Sequence, residues 1–292
     1  MKILCIGNSY SYYWTDELCG MLNAAGYKDV RVSNAYYSGC TFERHWNWYV
    51  DGIENYRFCT VKDGVRTSIK PAGMKDVLAA EDEWDIICFQ QSNRYKAPEM
   101  RESIKAHLPQ LYDLFRTRFP NAKFHWQQNW AHELRQCPEG KGMNSLEDQI
   151  ARADDFRTIA KEVCEEYGFV NVPLGDAWLP VRHEPMFYER GEGDYPVRSL
   201  HTRIYNSKFV SLDDVANTDL SHDGDIGGGQ YLNACVWFEI ATHKSILGNT
   251  FRPTSTWTQK NLFLTLSEEQ IAALQNAAHN AVLMHYGEEW YK

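Results

Sequence analysis

The sequence predicts an α/β fold, a three-layer α/β/α sandwich around a mostly parallel sheet of about five strands. Three observations carry that expectation. Short apolar runs alternate with long helix-like stretches along the chain, the pattern of successive β-α units. Runs such as Lys2–Ile6 and Trp84–Phe89 are almost continuously apolar, as strands covered on both faces are. Each run then stops abruptly in a polar turn: Gly7-Asn8-Ser9, Gln90-Gln91-Ser92-Asn93, Gln127-Gln128-Asn129.

The elements follow in order. Lys2–Ile6 reads as the first strand, Gly7-Asn8-Ser9 breaks it, and an acidic helix is expected over Thr15–Ala25. Asp29–Ser33 alternates as a second strand does and leads into the small-residue loop Asn34–Cys40. Residues 57–61 and 65–69 flank Lys62-Asp63-Gly64, and Asp-Gly between alternating runs signals a hairpin. That hairpin, residues 56–70, is expected as an insertion above the sheet edge.

Further strands are expected at Trp84–Phe89, Ala122–Trp126 and Phe169–Val172, and helices at Pro98–Arg118 and Leu146–Tyr167. Pro98 suits a first helical turn, where its missing N–H is no loss. Residues 180–218 read as an irregular, polar loop insertion. An apolar helix is expected over Gln230–Ile246, after the glycines 227–229. A last helix, Ser267–His285, opens with Ser267 and Gln270 in capping-box spacing. The expected organisation is one domain over residues 1–292, with a C-terminal helical extension at 251–292.

Bulk composition narrows the function. The chain has 292 residues, a formal net charge of −9 and no block rich in Lys or Arg, which disfavours a nucleic-acid partner. No apolar stretch is long enough to span a bilayer, so no membrane partner is expected. Eight cysteines lie scattered without a CxxC pair, and no signal peptide is expected ahead of the opening strand. A cytoplasmic protein with reduced thiols is expected, or a secreted one if a leader has been trimmed. Aromatic residues make up 14% of the chain, which suits a carbohydrate-facing cleft as well as a packed core.

Four short stretches fall at strand ends or in nearby loops: Gly7-Asn8-Ser9, Ser38-Gly39-Cys40, Gln90–Asn93 and Asp219-Leu220-Ser221-His222. Acyl-ester hydrolysis requires a hydroxyl nucleophile, a base for its proton, a carboxylate to orient the base, and donors for the oxyanion. The four stretches offer one of each. Each also has a plainer reading. Ser9 could cap the following helix, Gly39 could be a turn glycine, and the glutamines could satisfy backbone at a strand end. Asp219 could begin an Asx turn. A metal loop at His222-Asp223-Gly224-Asp225 lacks the acidic spacing of a calcium site, and no metal or cofactor is expected.

The order of these stretches resembles the SGNH (GDSL-type) hydrolase superfamily, whose fold is flavodoxin-like. The particular likeness is to a bacterial branch with Gly-Asn-Ser and Gln-Gln blocks. It rests on Ile6-Gly7-Asn8-Ser9, Gly39-Cys40-Thr41-Phe42-Glu43-Arg44-His45-Trp46, Phe89-Gln90-Gln91 and Gly229-Gln230-Tyr231-Leu232-Asn233-Ala234. The resemblance implies a serine esterase with Ser9 as nucleophile, His222 as base and Asp219 orienting it. It implies an oxyanion hole of the Ser9 and Gly39 N–H groups and a side-chain amide. The third block departs from the usual Gly-x-Asn-Asp pattern and is more similar to the Gln-Gly-Glu-Ser pattern of sugar-ester deacetylases, which implies Gln90 as that amide, with Gln91 and Asn93 still in contention. His45, Trp46 and Asn93 are candidates for the substrate pocket, the first two equally readable as packed residues. The implied substrate is a small-molecule or carbohydrate ester, with an O-acetyl sugar favoured. A non-catalytic carbohydrate-binding relative and an acyltransferase are the alternatives.

Overall fold

In the computed structural model the opening apolar run is the central strand of a seven-stranded sheet. The strands are β1 (Lys2–Gly7), β2 (Arg31–Tyr36), β3 (Tyr56–Lys62), β4 (Val65–Ala72), β5 (Ile86–Phe89), β6 (Lys123–Gln127) and β7 (Val170–Val172). Their order is β4-β3-β2-β1-β5-β6-β7. The structure describes residues 1–12, 14–132, 145–190, 196–199, 228–252 and 266–292. These form two units, residues 1–129 with 158–172 and residues 130–157 with 173–292.

In the first unit β1 pairs in parallel with β2 and β5, and β6 pairs in parallel with β5 and β7. The five parallel strands therefore follow the doubly wound order, in which strand order reverses between β1 and β5. Burial of every residue from Ile3 to Gly7, and of all of β5, shows that both faces of the sheet are covered.

The sheet is larger than the five strands expected, because the hairpin belongs to it. β3 pairs antiparallel with β2, and β4 with β3, so the hairpin extends the sheet instead of sitting above its edge. β2 needed a neighbour for its outer row of N–H and C=O groups, and alternation within residues 57–61 does not reveal which strand supplies the pairing. The turn itself is as read: Asp63 and Gly64 both take positive φ, 50° and 82°, the twist-matched two-residue hairpin turn.

Helices of this unit are α1 (Thr15–Ala24), α2 (Phe42–Asp51), α3 (Met74–Ala79), α4 (Ala97–Arg118) and the last ten residues of α5 (Leu146–Tyr167). α2 was not foreseen from its aromatic-rich sequence. The Thr41 hydroxyl caps it by accepting the Arg44 N–H at 3.2 Å, and Gly52 ends it at φ 66°. Phe42 of α2 and Phe115 of α4 both meet Phe89 of β5 edge-on, with ring centroids 6.2 and 5.8 Å apart. Such aromatic pairs add about 0.5–1.5 kcal/mol beyond the area they bury.

The second unit holds α6 (Leu174–Val181), α7 (Gly229–Thr242) and α8 (Glu268–Tyr286). All of α7 from Gly229 to Ile240 is buried, as apolar residues on every side of the helix require, and Gln230, Asn233 and Glu239 are buried with them. Its one buried acid, Glu239, accepts from the Ile246 N–H at 2.7 Å and faces His279 Nδ1 at 3.0 Å. The capping box at Ser267 and Gln270 forms as read, with bonds of 3.1 and 2.9 Å. Within the expected loop 180–218, β8 (Tyr188–Arg190) and β9 (Pro196–Ser199) pair antiparallel. Strands this short leave no periodic signature in sequence.

Candidate functional site

The reversal of strand order places the carboxyl ends of β1 and β5 side by side, the position at which open α/β sheets bind ligands. β1 delivers Gly7, Asn8 and Ser9 there, and β5 delivers Gln90 to Asn93.

Gly7 is fixed by close approach. A β-carbon on it would lie 2.6 Å from both Gln90 Oε1 and Ser11 Oγ. Gln90 Oε1 fills that space because it accepts the Asn8 N–H at 3.0 Å, which ties the two strand ends together. Asn8 is buried, and its side chain works at both ends. Oδ1 accepts the Tyr10 N–H at 3.1 Å and so caps the 3-10 turn Ser9–Ser11, while Nδ2 donates to the Cys40 carbonyl at 3.1 Å. Capping therefore falls to Asn8, and Ser9 is left half-buried. Among the described residues the Ser9 hydroxyl has no hydrogen-bond partner.

Gly39 lies in the turn Tyr37–Cys40, closed by the Cys40 N–H on the Tyr37 carbonyl at 3.1 Å. Its φ of +61° belongs to the left-handed region, which any residue with a β-carbon enters at a cost. Since Asn8 Nδ2 holds the Cys40 carbonyl, this turn is fastened to the one carrying Ser9. The Cys40 thiol is buried, and burial pushes its pKa up to about 12. It is an inert thiol in the wall of the site.

His45 is fully buried on α2 and does not face an open cleft. Its Nε2 lies 3.2 Å from the Gly7 carbonyl oxygen and its Nδ1 2.8 Å from the Tyr56 hydroxyl. A carbonyl only accepts, so Nε2 carries the proton and Nδ1 accepts from Tyr56. Burial lowers the His45 pKa to about 3, so the ring is neutral. Trp46, half-buried on the same helix, packs against Tyr49 with ring centroids 5.7 Å apart.

The third-block amides are mostly held internally. Gln90 is buried, and its Nε2 donates to the Gln91 carbonyl. Gln91 is buried too. Its Oε1 accepts from the Ser92 and Phe42 N–H groups at 2.8 and 3.3 Å, and its Nε2 donates to Ser103 Oγ at 3.0 Å. Asn93 is the half-exposed amide of the block, and Asn129 Nδ2 donates to its Oδ1. Asn129 also donates to the Gln91 carbonyl at 2.7 Å. The sequence assigns no role in the site to Asn8, Tyr56 or Asn129, although Asn129 closes a polar strand end of the same kind as Gln90–Asn93.

Asp219 and His222, the expected orienting acid and base, lie outside the described residues. Among the described residues no group of three or more His, Cys, Asp or Glu could hold a metal ion, and no helix is long and apolar enough to cross a membrane.

Comparison with known proteins adds a family and a fold. A family model described as "Domain of unknown function (DUF4886)" matches residues 2–150. A crystal structure of a DUF4886 family protein from Bacteroides uniformis ATCC 8492 is similar over 97% of this chain and 95% of that one. Its sequence identity is 25% and its TM-score 0.72. An acetyl xylan esterase is similar over 81% of this chain and 98% of its own, at 12% identity and a TM-score of 0.47. A GDSL-like lipase described in Parabacteroides merdae ATCC 43184 is similar over 83% and 95%, at 14% identity and 0.45. Likeness at the level of these last two bears on neither activity nor mechanism. No curated protein matches the chain.

Proposed function

The chain belongs to the DUF4886 family, and from that premise we propose that it is a serine esterase acting through an acyl-enzyme on Ser9. One observation carries the reading. Ser9 stands at the point where the strand order reverses, on a turn whose capping is done by its neighbour Asn8, with a half-buried hydroxyl that no described residue engages. A serine needed only for structure would be expected to carry the cap itself. The resemblance of the four sequence blocks to SGNH (GDSL-type) hydrolases supports the same assignment.

In this reading Ser9 Oγ attacks the ester carbonyl carbon while His222 takes its proton, and Asp219 holds the imidazole in the tautomer that can accept it. The tetrahedral oxyanion is met by the N–H groups of Ser9 and Gly39. These two groups sit on turns that the Asn8–Cys40 hydrogen bond fastens together. Collapse returns the proton from His222 to the departing alcohol and leaves Ser9 acylated. Water, deprotonated by His222, then attacks the acyl carbonyl, and the carboxylic acid leaves as Ser9 regains its proton. The proposed substrate is an ester with a small acyl group, an O-acetyl sugar being favoured by the aromatic content.

Hydrolysis of p-nitrophenyl acetate tests the mechanism. Ser9→Ala and His222→Ala are each expected to abolish turnover while leaving the melting temperature of the protein unchanged. Labelling by a fluorophosphonate should occur in the wild type and disappear in Ser9→Ala. Full hydrolysis by either variant would overturn the assignment.

A further inference from the structure

Beside the Gly39 turn the first unit carries a small cationic and aromatic surface that no step of the proposed chemistry uses. Tyr37, which opens that turn, is 37% exposed. The indole of Trp48 meets its ring edge-on, with centroids 4.8 Å apart. The Arg44 guanidinium lies over both rings, 5.4 Å from the Tyr37 centroid and 5.8 Å from that of Trp48. Arg94, exposed, follows Asn93 on the neighbouring strand-end loop. That loop is joined to α2, since Gln91 Oε1 accepts the Phe42 N–H at 3.3 Å. Among the described residues neither guanidinium has a carboxylate partner.

Two arginines on joined segments, neither with a carboxylate partner among the described residues, stand out in a chain of net charge −9. An arginine whose partners are aromatic rings keeps N–H groups available for a planar two-oxygen acceptor. Tyr37, exposed beside it, offers a face for the apolar side of a sugar ring.

We infer that Arg44, Arg94 and Tyr37 form a subsite for the alcohol half of the substrate, and that this half is a sugar bearing a carboxylate. The inference rests on the esterase reading of Ser9 for its place beside the ester, but binding at the subsite does not need turnover. Charge complementarity selects the occupant: a neutral sugar would leave both guanidinium groups without a counter-charge, whereas a uronate supplies one. The Asn8–Cys40 bond fastens this turn to the nucleophile's turn, so the subsite lies on a segment tied to the one that carries Ser9.

The test is equilibrium binding by calorimetry to the full-length Ser9→Ala protein. The probes are an O-acetylated methyl glucuronoside and the O-acetylated methyl glucoside that lacks its carboxylate. The glucuronoside is expected to bind at least tenfold more tightly in low salt, with the advantage shrinking as salt screens the charges. Arg44→Gln and Arg94→Gln should each reduce that advantage several-fold. Arg94 is exposed, so its replacement leaves folding intact even if Arg44→Gln does not. Equal binding of the two probes, binding of neither, or an advantage that survives both substitutions would overturn the subsite. Hydrolysis of p-nitrophenyl acetate by the wild type, measured separately, decides the esterase reading alone.

Discussion

The imidazole of His45 holds the carbonyl of Gly7, with Nε2 3.2 Å from the oxygen, two residues before the proposed nucleophile. Because the ring is buried and neutral, with its pKa lowered to about 3, it takes up a proton far more readily in the unfolded chain, where the ordinary value is 6.5. Between those values the unfolded state binds more protons, so His45 makes the fold gain stability as pH rises and lose it as pH falls. The slope reaches about 1.4 kcal/mol per pH unit. Urea titrations of wild type and His45→Gln at pH 4.5, 5.5 and 6.5 should therefore show the wild type's advantage growing with pH. A constant gap across that range would mean that His45 takes up a proton as readily in the fold as in the unfolded chain.

Glu17 works in the opposite sense. It is buried on α1, and burial first, then the neighbouring Asp16 charge, raises its pKa from 4.5 to about 8. Between those values the folded state holds the extra proton, so stability falls as pH rises. Glu17→Gln removes this contribution, and its stability relative to wild type should increase steadily from pH 4.5 to 8. Where the windows of Glu17 and His45 overlap, the two slopes oppose each other. Each single variant should thus expose the other group's pH dependence, which the same urea series reads.

Gly7→Ala is expected to damage both folding and the site. The added carbon would sit 2.6 Å from Gln90 Oε1 and 3.0 Å from Gln90 Cβ, and Gln90 cannot swing aside without releasing the Asn8 N–H. Overpacking of this kind costs about 1–3 kcal/mol. Urea unfolding should register that loss. Hydrolysis of p-nitrophenyl acetate should fall as well, since the displaced element is the turn that carries Ser9. Wild-type stability in Gly7→Ala would show that the two strand ends are looser than their hydrogen bonds imply.

In the second unit the corresponding weak point is Asp176. Its carboxylate is almost fully buried between Arg157, at 2.6 and 2.8 Å, and His285 Nε2, at 2.7 Å. Removing one member of a buried charged group strands the rest, at about 3–5 kcal/mol. Here Arg157 is part-exposed, so Asp176→Ala is expected at the lower end, about 3 kcal/mol. Arg157→Ala should cost less, because Asp176 retains His285. A urea series on the two variants orders them.

The sequence made the parallel strands and the long helices legible because their signals are local. A buried strand is a continuous apolar run, and a helix such as Glu268–Tyr286 carries its own cap. Pairing partners are not local, which is why residues 56–70 read correctly as a hairpin yet not as the outer half of the sheet. The site followed the same division. Ser9 and Gly39 could be picked out because a small residue at a strand end is a local sign. The tasks of Asn8 and His45 could not, since each depends on a carbonyl brought in from a distant stretch: Cys40 for one, Gly7 for the other. α2 stayed hidden because its apolar face is built of aromatic residues, which read as readily as strand or loop.

The amides of Gln90 and Asn93 should part company when each is removed. Gln90 is buried, with Oε1 on the Asn8 N–H and Nε2 on the Gln91 carbonyl, so both ends brace the strand termini. Gln90→Ala would leave the buried Asn8 N–H without its partner, at about 1–3 kcal/mol, while the Gln91 carbonyl keeps Asn129 Nδ2. It is expected to lower stability together with activity. Asn93 is half-exposed, its oxygen accepts from Asn129 Nδ2, and its amide nitrogen is the donor end that an oxyanion would need. If that nitrogen completes the oxyanion hole, Asn93→Ala should lower kcat by about 100- to 1,000-fold, the usual effect of losing one donor. KM and the urea midpoint should stay near wild type. Unchanged kcat in Asn93→Ala, with kcat lost in a folded Gln90→Ala, would return the role to Gln90.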